Sequence, residues 1–457
     1  MYKIDEKVFR SNFFSKDNIF KHTTNTKFKD LPFVVKDKNI VKDFSGVMSE
    51  YVRILLSKKL KGEIEQEKII ENVFENVSCE EKDKYALKQI IKETYFAEDG
   101  SMHIFSNRAM TLMKSGTNDK KIAQFLYDVL NREAFKEEVH TCFETEPDNV
   151  MDALMYESLP KLENTKPHER SYVRMVTYVS ERFMEDFRYI ISDPERVQKY
   201  LKSLLTYYYF FYIAQLSIKL NQMFEADEDK VEELFFSVEW EKVSKSRKCY
   251  EFGWKKLERH ARKLFSHSKL LEILNQNEAD TFDEKINYID LARNAKQLEG
   301  TSFEEELCIV LRIYLASIDD FSFDAIEREE KYESNLLNDI AYFFKCIDEQ
   351  FIGSTRQRAY TGYSNWFIEF SKANWLKNRR SLGYTLNLTE EDIIFLTKIV
   401  IKDQEKMKLK DLFKAYEVRG VFLDQKSKEE IHNYFEKLNL IEKKSDSGDA
   451  QYVKGIL

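Results

Sequence analysis

Four cationic side chains, Lys255, Arg259, Arg262 and Lys263, fall at helical spacing opposite Trp254, Leu257, Ala261 and Leu264. A helix that buries the second set presents the first as a basic stripe suited to phosphate contacts, where each neutralised phosphate releases counterions. The stripe belongs to residues 241 to 270, which hold ten Lys/Arg against three Glu. A solvated face answering the acidic run Glu225-Ala-Asp-Glu-Asp229 is an equal explanation. Downstream, residues 354 to 384 carry Arg356, Arg358, Lys372, Lys377, Arg379 and Arg380 against the single Glu369. They are interleaved with Tyr360, Tyr363, Trp366, Phe367, Phe370 and Trp375. Basic residues among aromatics suit a surface that tracks a strand and stacks bases, although aromatics at this density more often pack between domains. A third candidate set lies at the C-terminus: Lys426, Lys428, His432, Asn433, Lys443 and Lys444.

Catalytic patterns fail one by one. No glycine precedes a lysine, so a Walker phosphate loop is absent. His267-Ser-Lys269 begins like a phosphodiesterase pattern, but Leu274 stands where an Asp would complete it. Pro147-Asp148 lacks the acidic residue and lysine that a metal-dependent nuclease would place after it. His140 with Cys142, and His103 beside Met102, are isolated from other ligands at metal spacing. The expectation is a protein that is not an enzyme and holds no metal or cofactor.

The elements that must position these residues are helical. Of 457 residues, 43% are hydrophobic, 33% charged and 14% aromatic, with only 12 Gly and 5 Pro, a composition too poor in turn residues for a strand-rich protein. All the prolines lie in the first half, which predicts nearly uninterrupted helix in the second. Five scattered cysteines without a CxxC argue against disulfide and zinc-ribbon frameworks, and the N-terminus lacks the apolar core of a signal peptide. A cytoplasmic chain is expected. Its net charge of -8 restricts nucleic-acid contact to local patches.

Four segments follow. Residues 1–45 read as an irregular arm, because their phenylalanines show no sustained period. Residues 46–165 form a helical subdomain with windows near 48–60, 63–77, 82–95, 106–113 and 118–131, then a proline-rich boundary or loop at 147–170. Residues 166–384 are the central helical domain. Within it one helix ends before Ser192, and Pro194 opens another that is apolar nearly all round through Tyr207-Tyr-Tyr-Phe-Phe-Tyr212. That second helix reads as buried on most sides, with a membrane or partner surface as the other possibility. Thr301-Ser-Phe-Glu304 reads as a capping box.

Residues 385–457 read as a winged helix of three helices plus a β-hairpin wing. Thr389 caps the first helix, a basic break at Lys406-Met-Lys408 precedes the second, and Arg419-Gly420 stops it. Ser427-Lys-Glu-Glu430 is a capping box for the third, and a glycine turn at Ser445-Asp-Ser-Gly-Asp449 joins the two strands. In DNA readers of this kind the third helix enters the major groove and the wing touches the backbone. Here Glu429, Glu430 and Glu436 share the helix, and Asp446 and Asp449 mark the wing tip, so protein docking stands beside DNA contact.

The tail Glu436-Lys-Leu-Asn-Leu-Ile-Glu-Lys-Lys-Ser-Asp-Ser-Gly-Asp-Ala-Gln-Tyr-Val453 and the run Tyr207–Tyr212 resemble the DptG family of DNA phosphorothioation-dependent restriction proteins. The resemblance extends over the chain in order and length. It implies a subunit that acts with DptF- and DptH-type proteins against foreign or phage DNA lacking the phosphorothioate mark, with no catalytic motif of its own. The fold expected is mainly α: a multi-helix body with the C-terminal winged helix. The function expected is a non-catalytic subunit that contacts DNA or bridges the ATPase and nuclease partners. A pure protein scaffold, a free-standing winged-helix regulator and a divergent nuclease are the alternatives.

Overall fold

The longest element in the computed structural model of the chain is the helix Pro194–Gln222. Its proline occupies the first turn, where the missing amide hydrogen has no intrahelical acceptor to lose. From Tyr207 to Leu220 every residue is buried, so the aromatic run is core. Two of its hydroxyls find polar partners: Tyr208 donates to Asp186 Oδ2 at 2.6 Å, and Tyr212 accepts from the Met175 amide at 2.9 Å. Among the described residues no helix is long and apolar enough to cross a membrane. The structure describes residues 2–23, 25–34, 40–62, 65–98, 100–131, 136–143, 147, 149–278, 285–443 and 451–456.

Most of the described chain is helical, and it divides into two compact units. One comprises Asp43–Arg170 and Ser180–Tyr209. Here Ser45–Leu55 packs on Thr117–Leu130, and a satellite core of Ile69, Ile70, Val73, Ile91, Tyr95 and Phe96 forms between short helices. The stretch 147–170, expected to be a boundary or loop, holds the helix Val150–Ser158 and strand β2, Glu163–Asn164, which pairs antiparallel with β1, Lys58–Lys59. Pro160 and Pro167 fall outside the helix, so the prolines delimit it rather than exclude it.

The second unit comprises Met1–Lys42, Ser171–Val179 and Phe210–Leu457. Its N-terminal stretch is more regular than expected. Asp5 caps the helix Glu6–Phe13 by accepting from the Lys7 and Val8 amides, and Phe9 and Phe13 are buried. Further on, the Glu272 carboxylate accepts from the amides of Thr26, Lys27 and Phe28 at 2.9 to 3.1 Å. A charged side chain thereby replaces a missing backbone ladder.

The expectation of almost continuous helix in the second half is corrected by a four-stranded sheet. Strand β3 (Phe235–Val238) lies parallel to both β5 (Tyr384–Leu388) and β7 (Phe422–Leu423), and β4 (Leu376–Asn378) pairs antiparallel with β5, giving the order β4-β5-β3-β7. Every β3 residue is buried, and a short apolar run of this length carries no period that separates strand from buried helix. The boundary drawn between residues 384 and 385 falls inside β5.

The last seventy residues contain the helices Glu390–Ile401, Leu409–Glu417 and Gln425–Lys437. Between the first two, the basic break is a strand, β6 (Lys406–Lys408), and β8 (Ile441–Lys443) and β9 (Gln451–Lys454) complete an antiparallel sheet in the order β6-β9-β8. The Thr389 capping box is present: Thr389 Oγ1 accepts from the Asp392 amide at 3.2 Å and Asp392 accepts from the Thr389 amide at 2.8 Å. The other two boxes are corrected. Glu304 accepts from the Gly300 amide instead of that of Thr301. The third helix starts earlier than expected, with Asp424 as its cap accepting from the Ser427 amide, and Ser427 is fully buried. Gly420 adopts φ 79°, and a Cβ there would collide with the Phe211 ring, so both backbone and space demand glycine. The turn at 445–449 lies outside the described residues.

Candidate nucleic-acid interface

The helix Trp254–Ala261 buries Trp254, Leu257 and Ala261, as its spacing predicts, and leaves Lys255 and Arg259 exposed. Its end comes sooner than expected. Arg262 and Lys263 stand on the joint to the helix Leu264–Leu274, which turns them along the same rim. All four cations line one groove of about 670 Å³ with Tyr250, Tyr360 and Tyr384. Tyr384 reaches it because the chain turns at Gly383, whose φ of 73° is a left-handed conformation, before entering β5. The two basic segments noted in the sequence therefore meet at one place, although residues 271 to 353 lie between them.

Two of the cations are held by exposed pairs and a third by a buried carboxylate. Lys255 bonds Glu251 at 2.8 Å, Arg262 pairs with Glu258 one helical turn away, and Lys263 lies 3.3 Å from Asp348. Arg259 has no ion-pair partner among the described residues. Exposed pairs of this kind contribute little and exchange readily for another anion. The acidic run is engaged elsewhere: Glu225 pairs with Lys331 and Glu228 with Arg293. The stripe is thus not neutralised by that run. His260 adds no charge at neutral pH, because burial, with help from Arg259, Lys256 and Lys263, pushes its pKa down to about 4.

Other predicted residues are structural. Arg379 is bound into the four-stranded sheet, donating to Ser237 Oγ, Val238 O and Asn387 Oδ1 from Nη2 and to the Glu241 carbonyl from Nη1. Such a guanidinium is not available to phosphate. Arg380 is exposed on the turn just before the groove-lining residues Leu382 to Tyr384. Most of the interleaved aromatics are core: Phe367 stacks on Phe210 at 5.8 Å, Trp375 lies 5.6 Å from Phe210, and Tyr363 stacks on Phe265 at 3.9 Å. The phosphodiesterase-like pair is also interior, with His267 stacked on Phe344 and Lys269 buried.

The third C-terminal helix is docked by its N-terminal half. Arg247 Nη2 bonds Asp424 Oδ1 at 2.5 Å, Glu241 Oε2 at 2.9 Å and Ser427 Oγ at 2.9 Å. Burial alone would raise the Asp424 pKa, but the Arg247 guanidinium and the Ser427 amide hold it below the carboxylate range. Midway along, Trp240 Nε1 donates to Glu430 at 3.1 Å and its ring lies 5.2 Å from that of Tyr434. Lys428 is engaged with Glu417, Lys443 with Glu436, and His432 Nε2 lies 3.8 Å from Glu436. Lys426 and Asn433 remain exposed, and Lys426 lines a shallower depression with Arg247 and Lys248. Lys444 lies outside the described residues.

No protein-family model matches the chain, and no curated protein matches it. The groove's Tyr250 and Tyr384 escape sequence reasoning as site residues. Proximity of Tyr384 to the Arg379-Arg380 pair was the available signal, and nothing local ties Tyr250 to it.

Proposed function

We propose that the chain is a non-catalytic subunit of a phosphorothioation-dependent DNA restriction complex, and that it contacts DNA through the groove rimmed by Lys255, Arg259, Arg262 and Lys263. The juxtaposition of that stripe with the Tyr384 turn carries the DNA reading. The resemblance to the DptG family carries the assignment to a restriction complex. A positive groove in a chain of net charge -8 focuses the field at one place, which favours a defined contact over general adhesion.

The C-terminal module is read as a winged helix. Its support is the order helix, β6, helix, helix, β8, β9, with only the two-residue β7 of the other sheet between the second and third helices, together with the sheet order β6-β9-β8. Because Arg247 and Trp240 occupy the N-terminal half of its third helix, that helix serves docking rather than major-groove entry. The same observation favours a second role, in which the module's free surface binds DptF- or DptH-type partners.

The test is fluorescence anisotropy of labelled DNA with the whole chain across a salt series. Arg259→Glu with Arg262→Glu is expected to weaken binding and to flatten the salt dependence by about two phosphate contacts. Unchanged affinity and slope would remove the groove from the reading.

A further inference from the structure

Two of the groove's aromatic side chains, Tyr250 and Tyr384, differ from the other aromatics of the basic segments in one respect. Tyr360 and Trp254 on the same groove are buried, Tyr360 stacked on Phe351 and donating to Asp348. Trp366, Phe367, Phe370 and Trp375 are buried against other rings or the core. Tyr250 and Tyr384 stack on no aromatic ring among the described residues; each is approached only by a lysine ammonium, Lys255 at 5.3 Å and Lys372 at 5.6 Å. Tyr384 is 37% exposed. Two open ring faces thus lie in the same concavity as four cations and an exposed Ile352.

Duplex DNA has no use for these rings. Its outer surface offers phosphates, sugars and base edges, while the π faces of its bases are covered by their neighbours. An unpaired strand exposes both phosphates and π faces, and the combination of a cationic track with aromatic platforms is what holds it without regard to sequence. The volume points the same way. About 670 Å³ lies within the ~300–1,000 Å³ typical of sites that enclose one small ligand, room for a base or two and not for a double helix.

Resting on the reading that this groove contacts DNA, we infer that it takes a single-stranded segment. The strand's phosphates lie along Lys255, Arg259 and Lys263, and its bases stack on Tyr384 and Tyr250. The lysine beside each tyrosine gives way to phosphate as the base arrives, since Lys255 is exposed and Lys372 half-buried, each held only by a carboxylate on its own helix or one turn away.

The whole chain is titrated against three labelled probes at one salt concentration: an oligothymidylate of about twelve nucleotides, within the site sizes that such grooves span, a hairpin duplex of equal charge, and an abasic strand of the same length. The thymidylate is expected to bind about tenfold more tightly than either of the others. Tyr384→Ala is expected to lower thymidylate affinity about tenfold, leave the salt slope and abasic binding unchanged, and be rescued by Tyr384→Phe. Tyr250→Ala, on a separate helix, provides the same readout if the first variant does not fold. Duplex or abasic strand binding as tightly as thymidylate, with Arg259→Glu weakening both, overturns the inference and leaves the DNA contact standing. Binding of none of the probes overturns both.

Discussion

Two arginines of the basic segments show how little charge alone says about role. Arg259 is exposed on the groove without an ion-pair partner, whereas Arg379 donates to acceptors on β3, β5 and the residues that follow β3. Replacing Arg379 by Ala strands those acceptors, and a charged donor's hydrogen bonds are each worth about 1.5–3 kcal/mol. Arg379→Ala is therefore expected to destabilise the chain by about 3 kcal/mol in denaturant unfolding, whereas Arg259→Ala should leave stability nearly unchanged and weaken DNA binding. Sequence could not separate them: both are arginines of basic segments, and only the return of the chain to β3, 142 residues from Arg379 at Ser237, distinguishes one. His22 is a second case decided by surroundings. It packs among Phe20, Tyr314 and Phe351, its Nε2 is buried without a hydrogen bond, and burial pushes its pKa down from 6.5 to about 2. Between those values the unfolded chain binds a proton that the folded chain refuses. Stability from this group is full above pH 6.5 and is lost as pH falls toward 2. His22→Phe should unfold within about 1 kcal/mol of the parent at pH 7.5 and lose less stability by pH 5, as read from denaturant midpoints at both pH values.

At the scale of elements, helices with their own caps and stripes were legible and pairings at long range were not. The Thr389 cap, the buried face of Trp254–Ala261 and the aromatic core helix follow from spacing within one segment. Strands β3 and β7 have four and two residues and pair across most of the second half, so no local pattern marks them. Ser427 misled for a related reason. Asp424 stands three residues before it as an equally good cap, and the demand that Ser427 bridge Glu241 and Arg247 comes from a distant loop. Gly420, in contrast, was read correctly as a helix stop, and the structure adds the Phe211 ring as a second reason. Gly420→Ala must adopt a left-handed conformation and displace an aromatic ring, which should cost at least about 2 kcal/mol. Differential scanning calorimetry of that variant checks this; an unchanged midpoint would mean that the Phe211 contact yields freely.

For the molecule as a whole, the candidate groove and the C-terminal module are not separable by cutting the chain. The boundary that sequence suggests, before Thr385, removes four of the five residues of β5, which lies between β4 and β3, together with the whole of β7. It deletes Asp424, the partner of Arg247, and leaves Arg379 without Thr385 and Asn387. Within the groove itself Tyr384 would become a chain end. Burial of the β3 residues depends on those strands, so the fragment exposes Phe235, Phe236 and Val238 along a bare sheet edge, a form prone to association. A chain ending at residue 384 is therefore expected to unfold at lower denaturant and to elute as aggregate in size-exclusion chromatography. Its failure to bind DNA would then report a broken sheet and not the location of the contact. Point variants on the intact chain discriminate instead: charge reversal at Arg259 and Arg262 acts on the groove, and Lys426→Glu acts on an exposed side chain of the third C-terminal helix. Loss of binding from the first pair with retention in the second places the contact on the body. The opposite result, with the fragment remaining monomeric and equally stable, would show that the C-terminal residues fold as an independent DNA reader.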